Sequence, residues 1–205
     1  MNGTLLTPQF MPISGEEIAL ESLVATGDGA SDNVQIQTLD AYGRTVDGCD
    51  YTWVDYVAEY PCWVDGDYTE VEGVSFTAGQ GLWIYGSTAD QGVQTAGKVG
   101  KNDVTVTLRK GAIGTGNPFP TYVALQDILA EGDDVVDNVN IKILDAYGRT
   151  VDGCDYTWVD YVADDPCWVD GDYTIVEDVS FAPGQGLWVY GSSTTQTLRF
   201  PAPEL

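Results

Sequence analysis

Hydrophobic and polar residues alternate along short stretches of this chain with a period of two, not the 3.6 of a helix. Residues 34–39 (VQIQTL) and 104–108 (VTVTL) show this alternation, which is typical of half-buried strands. Residues 74–76 (VSF) and 81–85 (GLWIY) are short, aromatic or β-branched, and lie next to glycines. Turn residues separate these stretches, at 41–44, 47–48, 65–67 and 78–81. The pattern predicts an all-β fold, either a sandwich or a barrel.

The strand pattern occurs twice. Residues 39–58 (LDAYGRTVDGCDYTWVDYVA) recur unchanged at 144–163, an offset of 105 residues. A repeat of roughly 95 residues is far longer than a solenoid unit and is the size of a small β domain. We therefore predict two tandem, nearly identical small β-sandwich domains, Ig-like or jelly-roll-like, at residues 1–111 and 112–205.

The segment between the two repeats has two interpretations. Residues 105–109 (TVTLR) resemble residues 195–199 (TQTLR), which favours a strand that closes each repeat. Glycine-rich residues 111–116 would then form a hinge. In the alternative, a strand at residues 103–110 opens the second repeat.

Charge narrows the function classes. The chain has 32 acidic and 8 basic residues, a formal net charge of -24, and no histidine. This field repels phosphate backbones and anionic lipids, so we expect neither nucleic acid nor membrane as a partner. Without histidine, Ser–His–Asp and Cys–His catalysis and the usual catalytic zinc sites are excluded. We predict no enzymatic activity, no catalytic residue, no cofactor and no metal.

The N-terminus has no positively charged segment followed by an apolar one, and the first basic residue is Arg44. No apolar run approaches the roughly 18 residues needed to span a bilayer. We therefore expect a chain made and kept soluble, unless a secretion signal preceded it.

Each repeat has two cysteines 13 residues apart, Cys49 with Cys62 and Cys154 with Cys167. Free thiols that behave as small buried hydrophobes are favoured in a chain without a secretory signal. Disulfides and a zinc site shared between repeats are the alternatives. A hairpin that turns at residues 59–60 would place Cys62 opposite Val57, so a disulfide would need another register.

Each repeat also has three tryptophans: Trp53, Trp63 and Trp83, and Trp158, Trp168 and Trp188. With nearby tyrosines they fit three roles, namely core packing, a contact with a partner, or a stacking platform for sugars. Strand periodicity requires one face of the hairpin to expose aromatic residues unless a partner covers it. Our candidate interaction surface consists of Tyr56, Trp63, Tyr161 and Trp168.

Acidic residues cluster around the same hairpin. Residues 65–67 (DGD) and 47–48 (DG) are oxygen-rich turns that a hard cation such as calcium accepts, although they do not fit an EF-hand loop. Paired carboxylates for glycoside hydrolysis are a further alternative. A solvated acidic surface is the favoured interpretation.

Two short motifs carry a resemblance to a known class of module. Residues 116–120 (GNPFP) are followed after about 65 residues by 183–189 (PGQGLWV), a pattern similar to that of β-sandwich modules in tailed-phage structural proteins and bacterial surface proteins. The first repeat departs from it, with FMPIS at 10–14 and TAGQG at 77–81. The resemblance implies a binding or building module. Without any family, Pro118 and Pro120 predict an entry bend or edge segment. Gly184 and Gly186, which flank Gln185, predict a tight turn with positive φ, followed by a core strand.

These features favour a non-enzymatic virion structural protein, such as a phage head-decoration or auxiliary capsid protein. Its expected partner is the major capsid protein or another virion protein, and its expected location is the virion, after synthesis in the host cytoplasm. A tandem duplicate also fits a homo-oligomer, in particular a trimer with pseudo-sixfold symmetry. The alternative is an extracellular or cell-surface module for adhesion or carbohydrate binding.

Overall fold

The computed structural model describes residues 9–12, 17–40, 44–77, 80–88, 90–95, 102–145 and 147–203. The fold is all-β, as the hydrophobic pattern predicts. Within the described residues, the helical elements are two single 3-10 turns, Leu20–Ser22 and Leu125–Asp127. Each turn lies at the same position of its repeat and buries its leucine.

The described part of the first half of the chain contains nine strands: β1 (Gln9–Pro12), β2 (Glu17–Ala19), β3 (Leu23–Thr26), β4 (Gln35–Leu39), β5 (Thr45–Val54), β6 (Cys62–Val64), β7 (Ser75–Thr77), β8 (Gly81–Tyr85) and β9 (Gly92–Thr95). The described part of the second half contains ten: β10 (Val104–Thr107), β11 (Gly111–Gly116), β12 (Val123–Ala124), β13 (Leu129–Glu131), β14 (Asn140–Leu144), β15 (Thr150–Val159), β16 (Cys167–Val169), β17 (Ser180–Phe181), β18 (Gly186–Gly191) and β19 (Thr197–Phe200).

The two halves have the same sheet topology. A five-stranded antiparallel sheet has the order β1-β8-β4-β5-β6 in the first half and β11-β18-β14-β15-β16 in the second. Short pairs accompany each large sheet, β2 with β7 and β3 with β9 in the first half, and β12 with β17 and β13 with β19 in the second. The duplicated sequence therefore folds twice into the same strand order, while the division into two separate domains stays a prediction.

Equivalent residues fill the two cores. Strands β4, β5 and β8 contribute buried side chains to the first core, and the same positions are buried 105 residues later. The shared buried pairs are Leu20 and Leu125, Ile36 and Ile141, Tyr51 and Tyr156, Trp63 and Trp168, Phe76 and Phe181, and Leu82 and Leu187. Burial of each large side chain contributes about 1.5–3 kcal/mol to folding, which makes these residues the main source of stability.

Two expectations about the middle of the chain were wrong. Residues 111–116 form no hinge, because they pair along their whole length with β18 as an edge strand. Strand β10 does not close the first half either, since it pairs antiparallel with β19, with Val106 opposite Leu198. Its valines pack against the second core. The true counterpart of β19 is β9, which lies at the same offset of 105 residues.

The prediction of a turn at residues 47–48 was also wrong. Both residues lie inside the ten-residue strand β5, where Gly48 has a φ of 75° and the register with β4 shifts between Gln37 and Leu39. The second half has the same irregularity at Gly153, with a φ of 75°. The Asp-Gly pair therefore marks a kink within a long strand and not its end.

The two halves meet through equivalent residues. Leu39 and Leu144 are buried together, and Trp83 and Trp188 pack against them as half-buried rings. Across this contact the Trp83 ring lies so close to Gly148 that a Cβ there would overlap the ring. Trp83 and Trp188 therefore occupy equivalent positions, each with its ring half-buried at the contact between the halves.

We predict that Gly148→Ala destabilises the protein more than Gly153→Ala. Both glycines have a left-handed backbone, with φ of 72° and 75°, but nothing lies within 4 Å of a Cβ at Gly153. Gly153→Ala should cost only the backbone strain, about 1–2 kcal/mol. Gly148→Ala should add the displacement of Trp83, about 1–3 kcal/mol more. Urea unfolding measures the difference, and equal losses would show that the Trp83 contact contributes nothing.

Candidate functional site

Two exposed tyrosines form a pair at the end of the β5–β6 hairpin. Tyr56 is 57% exposed and Tyr68 is 54% exposed, and their ring centroids lie 6.5 Å apart at an interplanar angle of 30°. The Tyr56 hydroxyl donates a hydrogen bond of 2.6 Å to Oδ1 of Asp32, in the loop before β4. We call Tyr56, Tyr68 and Asp32 the first tyrosine patch.

The second half repeats this arrangement. The rings of Tyr161 and Tyr173 have centroids 6.3 Å apart at an angle of 36°, and both residues are more than half exposed. The Tyr161 hydroxyl donates to Oδ1 of Asp137 at 2.7 Å. Tyr161, Tyr173 and Asp137 are the second tyrosine patch. Matching geometry in both halves indicates a built feature of the repeat and not an accident of one loop.

The backbone holds the second tyrosine of each pair in an uncommon conformation. Tyr68 has a φ of 58° and Tyr173 a φ of 59°, the left-handed region that bulky residues rarely adopt. In the first half, the Asp65 carboxylate accepts the backbone N–H groups of Asp67 and Thr69, which closes a tight turn around Tyr68. Strain of this kind persists where the surroundings fix it, and it is concentrated at functional sites.

Two of the four residues in the predicted interaction surface are not at the surface. Trp63 is 2% exposed and Trp168 is 1% exposed, and each indole N–H donates to a carbonyl oxygen across the core, that of Leu23 at 2.7 Å and that of Ile128 at 2.8 Å. The prediction that these tryptophans face outward was therefore wrong. Tyr56 and Tyr161 are exposed, and their contact with a partner stays a prediction.

The error came from the hairpin register. Trp63 lies directly opposite Trp53 and Cys62 opposite Val54, so the connecting loop is residues 55–61 and not a turn at 59–60. Trp53 packs edge-on against Trp63, with centroids 5.2 Å apart.

Sequence reasoning also missed Asp32 and Asp137. Their signal is the tripeptide DNV, which both repeats share at residues 32–34 and 137–139.

The hydrogen bond in each patch changes the acidity of the phenol. Donation to the Asp32 carboxylate is the main cause that raises the pKa of Tyr56 to about 12. The same contact with Asp137 raises the pKa of Tyr161. Both phenols are therefore neutral at physiological pH, and each ring is oriented by its carboxylate.

The cysteines and the carboxylates of the 65–67 turn are held by burial and by local hydrogen bonds. All four cysteines are free thiols, and burial raises the pKa of Cys62 and Cys167, which disfavours a reactive thiolate. The Asp65 carboxylate is already used by its own turn. Within the described residues, no three acidic or cysteine side chains converge as metal ligands would.

A cleft of about 320 Å³ lies between the halves. Its described lining comes from the end of β4, from β7, β8, β10 and β11, and from Gln80. Within the described lining, Asp40 is the one ionisable side chain.

The two motifs behind the resemblance meet in the structure. Asn117 of the GNPFP segment is fully buried, and its amide donates to the carbonyl oxygens of Thr121, Phe181 and Ala182. Its backbone N–H donates to the carbonyl of Gln185 in the PGQG turn. Gly184 has a positive φ of 73°, as predicted, whereas Gly186 does not and is the first residue of β18. The turn and the core strand were predicted; the contact by which Asn117 joins the two loops was not.

Comparisons with protein-family models, curated proteins and solved structures found no match to this chain. Among the described residues, no helix is long and apolar enough to cross a membrane.

We predict that Asn117→Ala lowers the free energy of unfolding by about 2–4 kcal/mol, because it leaves several buried carbonyls and the Phe119 N–H without partners. Asn138→Ala is the matched control. The Asn138 amide donates to the Val136 carbonyl near the surface, so its loss should cost at most about 1 kcal/mol. Urea unfolding compares the two variants, and equal losses of unfolding free energy would contradict the role of Asn117 in joining the two loops.

We predict that Asp32→Asn lowers the pKa of Tyr56 towards the ordinary value of about 10. NMR titration of tyrosines labelled at Cζ follows each phenol, and Asp55→Asn is the control, since Asp55 accepts from Ser31 instead. The raised pKa means that the contact contributes stability below about pH 10, and that this contribution is lost as the pH rises through about 12. An unchanged Tyr56 titration in Asp32→Asn would contradict the hydrogen bond.

Proposed function

We propose that this chain is a non-enzymatic virion structural protein that binds the surface of a phage head, as a decoration or auxiliary capsid protein. The observation that supports this proposal is the same exposed tyrosine patch on both repeats, each fixed by a strained turn and a hydrogen-bonded carboxylate. Aromatic residues are enriched at protein interfaces, because they bury a large area at a low entropic cost.

Two equivalent patches in one chain suit a partner that is itself repetitive. When two sites engage together, the second binds at a high effective concentration, and avidity exceeds either single affinity. A capsid lattice presents many copies of one protein at fixed spacing. The motif resemblance to tailed-phage structural proteins favours this partner, and the major capsid protein is the candidate.

An extracellular carbohydrate-binding module is the second candidate. The exposed Tyr56 and Tyr68 rings offer flat apolar faces, with the Asp32 carboxylate beside them as an acceptor for sugar hydroxyls. The buried tryptophans remove the larger stacking platform that the sequence predicted for this role. The tyrosines alone therefore have to provide any stacking.

We predict that the purified chain co-sediments with empty heads assembled from the major capsid protein encoded in the same genome. Binding should saturate at a fixed ratio of chains to capsid subunits, and removal of both patches with Tyr56→Ala and Tyr161→Ala should weaken it at least tenfold. A single substitution should have an intermediate effect, because one patch remains.

Tyr122→Ala serves as the control variant, since it removes a 70% exposed tyrosine that belongs to neither patch. A glycan array tests the second candidate with the same protein. Absence of binding to heads together with saturable binding to a glycan would overturn the virion assignment.

A further inference from the structure

We propose that each tyrosine patch binds an arginine side chain of a partner protein, so that one chain holds two arginines. This inference rests on the proposed function, because it names the chemistry by which the patches would recognise a protein surface.

The ring pair offers an aromatic surface suited to a cation. A guanidinium placed over the face of a tyrosine within about 6 Å of the ring centroid is attracted by the ring quadrupole. Tyr56 and Tyr68 provide two such faces 6.5 Å apart, both in contact with solvent. Since the hydrogen bond to Asp32 and the turn around Tyr68 already fix the rings, little ordering remains to oppose binding.

The segments that carry each tyrosine pair are acidic along the sequence. Residues 55–72 contain six carboxylates, and so do residues 160–177. None of the eight lysines and arginines lies between residues 45 and 97 or between residues 150 and 198. A cationic side chain therefore meets an attractive field that no neighbouring base in the hairpin cancels.

The described part of the chain contains a completed example of this recognition. The Arg149 guanidinium carbon lies 4.9 Å from the centroid of the Tyr147 ring, while the guanidinium donates to the Asp145 carboxylate at 2.7 and 2.8 Å. Tyrosine and aspartate thus share one arginine through a ring face and charged hydrogen bonds. The tyrosine patches present the same two partners, tyrosine and aspartate, with no arginine of the hairpin to fill them.

The carboxylate favours arginine over a quaternary ammonium group. A guanidinium has five N–H donors in a planar fork, which suit a carboxylate beside a ring, whereas a trimethylammonium group has none. A choline headgroup would use the rings but bring no N–H donor, so Asp32 and Asp137 would keep only the hydrogen bond from their tyrosine hydroxyl. The patch chemistry therefore fits a protein surface that bears arginine.

The test uses the full chain and a Gly-Ser peptide that contains three arginines. Matched peptides carry citrulline, which keeps the shape and removes the charge, or lysine, and choline is tested alone. NMR titration at low salt follows the four patch tyrosines. We expect two sites per chain, binding at least tenfold tighter for arginine than for citrulline, and weaker binding at high salt.

Two pairs of variants distinguish the contribution of the tyrosine rings to arginine binding from that of the acidic surface. Tyr68→Leu with Tyr173→Leu should weaken arginine binding at least fivefold, while Tyr68→Phe with Tyr173→Phe should retain it, because phenylalanine keeps the ring face. Net charge is the same in both pairs. Equal binding by the leucine and phenylalanine variants, or tighter binding of choline than of arginine, would overturn the proposal.

The two proposals fail in distinguishable ways. If the leucine variant loses the peptide but still binds empty heads as the original chain does, the arginine inference is wrong and the virion function stands. If the chain binds the peptide as expected but no heads, the arginine site stands and the virion function is wrong.

Discussion

The hydrogen bond from each hairpin tryptophan to the opposite sheet determines how the rest of the repeat is arranged. Trp63 in β6 donates to the carbonyl of Leu23 in β3, and Trp168 in β16 donates to the carbonyl of Ile128, the residue before β13. Each indole therefore joins its short strand to the β3 or β13 segment. A buried indole N–H without an acceptor would be costly, which fixes the face that the hairpin turns inward. Once that face is fixed, the tyrosines beyond the strand ends have to face solvent.

Much of the fold follows from the sequence, because strand periodicity and the exact repeat are local signals. The strands at residues 35–39 and 81–85 lie where alternation predicts them. The pairing register of the β5–β6 hairpin does not follow from the same local signals. The face of Trp63 depends on whether the hairpin turns at 59–60 or spans a seven-residue loop, and both choices satisfy a period of two. A slip of this kind exchanges core and surface residues, and it produced the wrong assignment of the tryptophans.

Local sequence patterns also did not predict which distant strands pair with each other. The likeness of residues 105–109 to 195–199 made both look like closing strands, whereas they pair with each other across one sheet. The constant offset gave the better guide, since it maps β9 onto β19. The contact between Asp32 and Tyr56 was missed for a similar reason. The two residues are 24 positions apart, and this separation does not correspond to strand or helix periodicity. A structure was needed to bring the two loops together.

The duplication also shapes how the molecule can associate. Leu39, Leu144, Trp83 and Trp188 meet at the contact between the halves, so this apolar surface is consumed within the chain. With Trp63 and Trp168 in the cores, the exposed aromatic residues of the hairpin regions are tyrosines, which lie among carboxylates and a few aliphatic side chains such as Val57 and Ile175. Two copies that met patch to patch would bring like charges within a Debye length of about 8 Å at physiological salt, where salt screens their repulsion least. The charge of the patches therefore opposes contact between two copies at this surface and favours a partner of opposite charge.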